Sequence, residues 1–483
     1  MPSLSTANLG LLSADVARPA YDRDAAGIGV VHFGPGAFFR AHQAFFFDEA
    51  LGQGGNWAIC AAALRSTDVR DALRPQDNLY ILAELERETR YRVIGAIKET
   101  LAGPADRPAL LARLANPDTV IVTMTVTEKG YCLKGDGSLD FDHADIAHDV
   151  AEPLNPVSLI GHLVEGLRRR HAAGTAPFTV ISCDNLVDNG HKLGRAVADL
   201  AEKQDGALAA WIREKVAFPR TMVDSITPAT DDALRTRVTH DTGVQDAWPI
   251  QRERFTQWVI EDKFSNIRPD FASIGVTLTK DVSAYDRAKL RLLNGPHSTL
   301  AYLGSLAGYE SVAEAMGDAD LAGFARRLML DDISPTLNPD AGIDYPAYID
   351  AILARFANPG IRHLLSQIAW DGSAKLPFRL FGTIAERLAA GAPVDNLALP
   401  VAAWMHFVRR KAADGTKLTD PLAESLLTIG RAVTGDAHRD VSCFFTLEQV
   451  FPPALRDNPA FRTALERAYA LLEGGVKAAL KGI

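Results

Sequence analysis

The chain is expected to be an α/β protein, an N-terminal doubly wound domain followed by a mainly α-helical C-terminal domain. Three observations carry this expectation. Strand-like apolar runs alternate with helical patterns up to about residue 281, strand signals thin out beyond it, and a glycine turn joins the first strand to the first helical pattern. At 483 residues the chain is too long for one ordinary core. Hydrophobic residues at 47% and charged residues at 23% describe a soluble globular protein. No apolar run reaches the roughly 18 residues of a membrane span, and the opening MPSLSTANLGLLSADVARPAYDR lacks a basic start followed by an apolar core, so a cytoplasmic location is expected. The formal charge of -9, without a Lys/Arg block, gives no footprint for nucleic acid or a membrane; the expected partner is small. Cys60, Cys132, Cys183 and Cys443 lie far apart with no CxxC, and the histidines form no HExxH pair, so neither disulfides nor a metal are expected.

In order, a leader expected to wrap the surface precedes GIGVVHF, which reads as a buried strand. HFGPG follows at once, then the helical pattern AFFRAHQAFFFDEALGQG, ending in glycine. Strand, glycine turn and helix form the Rossmann-like context in which Gly34 and Gly36 bring backbone amides to a pyrophosphate, with Phe38 and Arg40 beside them; Phe39 stands where a third glycine is usual. WAICAAAL closes the βαβ unit. The ribose-binding acid of an NAD site would stand at its end, but here Arg65 comes first and Asp68 later, which leaves room for the 2′-phosphate of NADP or an arginine facing solvent. A hairpin-like pair and the strand TVIVTMTVTEKGYC follow, with Glu128 at its end. After a helical stretch come FTVIS and the loop CDNLVDNG, where Asn185 and Asn189 suit turn formation. TMVDSITPAT places Asp224 at a strand or loop edge, and FTQWVIEDKF and IGVTLTKDV resemble the last strands of a domain spanning 1–281. Residues 282–483 read as amphipathic helices, with no internal repeat.

The second domain opens with DRAKLRLLNGPHSTLAYLG. At roughly 100° per residue, Asp286, Lys289, Asn294 and His297 share one helical face within an arc of roughly 140°. Four polar groups on one face need partners if buried. Either the face is solvated or it lines a cleft between domains, a favoured place for a small-molecule site. Tyr285 and Lys289 also make YxxxK, but without the glycine motif that accompanies that pair in short-chain dehydrogenases, and the match is read as coincidence.

GPGAFFRAHQA, TVTEKGYC, SCDNLVDNG, FTQWVIEDKF, KLRLLNGPHSTLAYLG and DGSAKLP together resemble blocks of the mannitol dehydrogenase family of polyol-specific long-chain dehydrogenases and reductases, in family order from about residue 29 to 376. The resemblance implies an NAD-dependent enzyme, NADP being possible, with no metal. It makes Lys289 the general base or acid on the reacting oxygen, Asn185 and Asn294 amide donors to the developing alkoxide, and His297 a substrate-orienting residue. It also implies substrate contacts at Asp224 and Lys375 and a proton path through Asp286 and Glu128.

Such chemistry is self-consistent. Hydride leaves a secondary alcohol only as its proton leaves, so a base must sit within hydrogen-bond reach. A lysine suits once desolvated, and two amides supply the electrophilic role a zinc ion would otherwise fill. One departure concerns the substrate: Gln367 stands where mannitol-type members carry arginine, and QIAWDGSAKLPFR looks closer to the fructuronate reductase side, with Arg379 as a cation for a carboxylate. A sugar acid (D-fructuronate/D-mannonate) is therefore expected slightly ahead of D-fructose/D-mannitol, in a monomer or weak homo-oligomer. The rival from another class is a non-catalytic dinucleotide-binding sensor, which would need none of the lysine, asparagines and histidine.

Overall fold

Apolar runs of the kind seen in GIGVVHF suit strands covered on both faces, and such strands build the centre of the first half. The computed structural model describes residues 1–483, and its contacts divide the chain into two units, Met1–Val282 and Ser283–Ile483.

The first unit holds eleven strands: β1 (Ile28–Phe33), β2 (Ala58–Ala63), β3 (Tyr80–Leu85), β4 (Arg90–Ile94), β5 (Ile97–Ala102), β6 (Ile121–Met124), β7 (Thr179–Ser182), β8 (Thr221–Asp224), β9 (Ile250–Glu253), β10 (Gln257–Glu261) and β11 (Thr277–Thr279). Five form a parallel sheet in the order β5-β2-β1-β6-β7. The chain steps outward from β1 to β2 and β5, then returns to the other side of β1 for β6 and β7. That reversal beside β1 is where an open α/β sheet forms its ligand crevice, outside the carboxyl ends of the strands. The doubly wound, Rossmann-like expectation holds.

Two smaller sheets depart from a single-sheet picture. The hairpin β3–β4 pairs with β9, and β10 lies between β8 and β11, antiparallel to β8. The leader lies over the surface and is pinned there: Leu4, Leu12 and Val16 are buried among Leu79, Ile81 and Val93, and Ala17 bridges to Arg92. Apolar side chains at these positions close the outer face of a sheet too small to close itself.

The expected first helix is broken in two, Ala37–Ala41 and Gln43–Gly52, at His42. The Tyr80 hydroxyl donates to the Arg40 carbonyl at 2.6 Å, and His42 Nε2 stands 2.9 Å from the Gln257 carbonyl. The Tyr80 hydroxyl thus takes a carbonyl that a continuous helix would use, and the His42 ring ties the break to β10.

In the second unit no strand follows Thr279, and the core gathers around the helix Asp395–Ala413, whose residues Leu397 to Met405 are buried. The helices Gly295–Ala307, Ala423–Ala432 and Pro459–Glu473 pack against it. Three wide π-helical turns interrupt the helical pattern, at Lys289–Asn294, Leu328–Ile333 and Pro377–Phe381. No helix is long and apolar enough to cross a membrane.

Candidate active site

The glycine turn after β1 is braced by its neighbours. Gly34 sits at φ 84°, and a Cβ there would lie 2.1 Å from the Thr125 carbonyl, so only glycine fits. Thr125 Oγ1 donates to the Gly34 carbonyl at 2.8 Å, and His32 Nε2 lies 3.2 Å from the same oxygen. Burial pulls the His32 pKa down to about 3, so its ring is neutral; Nδ1 pairs with Thr123 Oγ1 at 2.7 Å. Phe39 fills the place of the third glycine because its ring stacks on His32, centroids 3.5 Å apart. Gly36 has open space, its nearest prospective neighbour 3.9 Å from a Cβ.

A cleft of about 650 Å³ opens at the carboxyl ends of β1, β2 and β6, lined among others by Gly34, Gly36, Arg65, Thr125 and Thr127. A volume in this range suits a cofactor, and the open backbone at Gly36 suits close approach of a phosphate. The Arg65 guanidinium reaches the cleft wall and pairs with Asp145. One expected cofactor residue is corrected. Arg40 is fully buried and donates through Nη1 to the Trp248 carbonyl at 2.9 Å, because Tyr80 and Trp248 wrap it with aromatic faces. Phe38 stacks on His42 with ring centroids 5.0 Å apart. Asp68 opens the helix Asp68–Leu73, is exposed, and accepts from Ser66 Oγ at 2.8 Å, a residue of the cleft lining. The fold also gathers Cys132, His143 and Asp145, whose potential ligand atoms lie within 4.8 Å of one another. Sequence spacing gave no hint of this group. Its members are occupied locally: Asp145 by Arg65, His143 Nδ1 by the Asp145 amide, and the Cys132 thiol held up at about 11 by burial.

Among the other expected residues of the first unit, Glu128 is exposed in the 3₁₀ turn Glu128–Tyr131 past β6, Asn185 is exposed past β7, and Asp224 is buried at the end of β8. Two residues that sequence reasoning missed join these loops. Asp184 accepts from the backbone amides of Val126 and Thr127 at 3.1 and 2.9 Å and from the Tyr131 hydroxyl at 2.6 Å. Asn189, read as a turn former, is buried: Nδ2 donates to the Asp184 and Thr221 carbonyls at 3.2 and 3.0 Å, and Oδ1 accepts from the Thr221 amide at 3.0 Å. Both stand inside the block SCDNLVDNG, but the partners that tie them to other strands and loops are 32 to 58 residues away and invisible locally.

In the second unit, Asp286 lies in the helix Val282–Ala288 and Lys289 opens the π-turn that ends at Asn294. This corrects the uniform helical wheel. Five α-helical steps put Lys289 and Asn294 about 140° apart, whereas i→i+5 bonding brings the fifth residue back over the first. His297 follows on Gly295–Ala307, buried, stacked on Phe356 with centroids 4.3 Å apart and edge-on to His363 at 5.0 Å. Its Nε2 is buried without a hydrogen-bond partner. Burial, then His363, Arg355 and Arg379, hold its pKa well below the usual value, so the ring is neutral. Arg379 donates to Ser298 Oγ at 3.0 Å and approaches the Asn294 carbonyl at 3.5 Å. Lys375 points back to the Ile368 carbonyl at 3.4 Å, its pKa lowered by burial and then by Arg379. Gln367 is exposed.

A doubly wound domain with a glycine-turn cleft, joined to a separate helical unit, is the architecture of a dinucleotide-dependent oxidoreductase. Residues 28–273 match the family model described as the mannitol dehydrogenase Rossmann domain and residues 281–473 the mannitol dehydrogenase C-terminal domain, so the chain belongs to the mannitol dehydrogenase family. It is similar to an uncharacterized oxidoreductase of Escherichia coli K12, 42% identical with 93% of each chain covered. It is also similar to the D-mannonate oxidoreductase of the same organism, 41% identical over 95% of this chain and 96% of that one. Among solved structures it resembles the mannitol 2-dehydrogenase of Pseudomonas fluorescens in ternary complex with NAD and D-mannitol, with 38% identity, TM-score 0.78 and 99% of each chain covered. A substrate-free D-sorbitol dehydrogenase gives 32% identity, TM-score 0.92 and coverage of 99% and 100%.

Proposed function

We propose that this oxidoreductase is an NAD(P)-dependent, metal-independent dehydrogenase that joins an open-chain ketose or ketouronate to its secondary alcohol, with D-fructuronate/D-mannonate as the preferred pair. Bound NAD(H) supplies the hydride acceptor or donor, held by Gly34, Gly36 and Arg65 over residues 1–281. In oxidation Lys289 Nζ takes the hydroxyl proton; in reduction it returns one. Asn294 and Asn185 donate through Nδ2 to the oxygen as it gains charge, a role whose loss typically costs about 10²-fold or more in rate. His297, neutral, orients a substrate hydroxyl through Nε2, and Asp224 accepts from another. Asp286 and Glu128 pass the proton between Lys289 and water.

The observation that carries the reading is the π-turn: it sets Lys289 and Asn294 on one face, next to a histidine with a buried, unpartnered nitrogen. π-Turns inside helices are frequent at functional sites. The sugar-acid preference rests on the adjacent cations Lys375 and Arg379, on Gln367 in place of the arginine of mannitol-type members, and on similarity to a D-mannonate oxidoreductase. The runner-up, D-mannitol/D-fructose, is favoured by the likeness to mannitol 2-dehydrogenases. Initial rates at the reduced-nicotinamide absorbance band, with NADH and NADPH against fructuronate, tagaturonate and fructose, decide between them. Higher kcat/KM on fructuronate is expected; turnover of fructose without uronate activity would overturn the preference. Nucleotide binding with no turnover of any polyol or sugar acid would point instead to the sensor.

A further inference from the structure

Thr127 has φ 64° and ψ 164°, a conformation nearly confined to glycine and especially poor for a β-branched side chain. It lies in the loop from Thr125 to Gly130 that lines the nucleotide cleft, one residue before Glu128. Such a backbone persists only where its surroundings over-determine it. Here one carboxylate does so. Asp184 accepts the amides of Val126 and Thr127, and its Oδ2 also accepts the Tyr131 hydroxyl at 2.6 Å. Tyr131 is fully buried and also stands 2.5 Å from Ser182 Oγ at the end of β7. Asn189 Nδ2 holds the Asp184 carbonyl, fixing the clamp from the other side.

We infer that Asp184 is a positioning residue: it locks the strained Thr127 loop against the nucleotide cleft and, as the neighbour of Asn185, ties the placement of the oxyanion amide to that of the cofactor. The assignment of Asn185 and the nucleotide rests on the proposed function; the clamp itself does not. The side chain touches neither substrate nor cofactor and acts through the two loops that do. Its chemistry explains why an acid is needed. Two backbone amides and a phenol are all donors, and a carboxylate accepts all three, whereas an asparagine turns an N–H toward one of them.

The test is Asp184→Asn in the full chain, with NADH affinity by fluorescence, steady-state kinetics, thermal melting, and hydrogen exchange at Val126 and Thr127. Both NADH affinity and kcat/KM are expected to fall at least about tenfold, as for loss of charged hydrogen bonds, well below the melting temperature, with faster exchange at the two amides. The double variant Asp184→Asn/Thr127→Gly is the discriminating arm. Glycine takes positive φ at no steric cost, so the loop no longer needs holding and most of the affinity is expected to return. Wild-type affinity and kcat/KM in Asp184→Asn, or no recovery in the double variant, overturns the clamp. If the wild-type protein binds no nicotinamide nucleotide, the functional reading fails, and unchanged exchange at Val126 and Thr127 in Asp184→Asn separately overturns the clamp.

Discussion

A single ammonium group carries the proton step in the proposed reaction. Lys289→Ala is expected to lower turnover by about 10²- to 10⁴-fold, the usual worth of a general acid or base, while nucleotide affinity, measured by fluorescence, stays within about twofold of wild type. Wild-type-like turnover in this variant would sink the mechanism. The sequence offers the lysine, asparagine and histidine of KLRLLNGPHSTLAYLG as candidates, and the proposed reaction uses all three. The sequence was misleading at Arg40, which reads as a cation at a phosphate turn and is instead held in the core by Trp248 and Tyr80. Nothing within ten residues of Arg40 announces those partners.

Two elements set the geometry of the candidate site. The glycine turn tolerates no Cβ at Gly34, where Thr125 O would be 2.1 Å away and φ is 84°. Gly34→Ala is therefore expected to destabilise the fold by about 1–3 kcal/mol and to weaken NADH binding, read by melting and by fluorescence; unchanged affinity would show that the turn does not meet the nucleotide. The π-turn makes a sharper case. Removing Leu290, which is half-buried, is expected to convert Lys289–Asn294 to α-helix with Asn294 four steps from Lys289, about 40° round the axis, so the shared face survives the loss of the widened turn. Helix content by circular dichroism and most of the turnover are expected to hold; lost turnover at unchanged helix content would show that the widened turn itself, and not only the shared face, is needed. A hydrophobic pattern read at a fixed period has no means of finding such a turn, since one inserted residue changes the phase without changing composition.

At the scale of the whole molecule, buried histidines set the acid limit of the fold. His32, His162, His297, His363 and His406 all have pKa values lowered by burial, His32 to about 3. Below the ordinary value near 6.5 the unfolded chain binds protons that the folded one refuses, so stability falls as pH falls, by up to about 1.4 kcal/mol per pH unit for each such ring. Asp48, Asp246 and Asp332, raised by burial, work in the opposite direction nearer the carboxylate range. A melting temperature that declines steadily from pH 7 to pH 5 is expected, by scanning calorimetry, and a flat or rising profile would contradict it.

The sequence by itself determined the alternation of strand and helix in the first half, the doubly wound sheet, the helical second half and membership of the mannitol dehydrogenase family. These follow from side-chain periodicity and short motifs, which act over a few residues. Only the tertiary structure decided which polar groups face a cleft and which are buried. Phe39 replaces a glycine because His32 offers a ring to stack on, and Asn189 leaves its turn to bracket β8. Thr127 holds a conformation its own side chain opposes because Asp184, 57 residues on, supplies the acceptor. For Asn189 and Thr127 the deciding partner is 32 and 57 residues away, and an unmet hydrogen bond there would cost more than the local preference supplies.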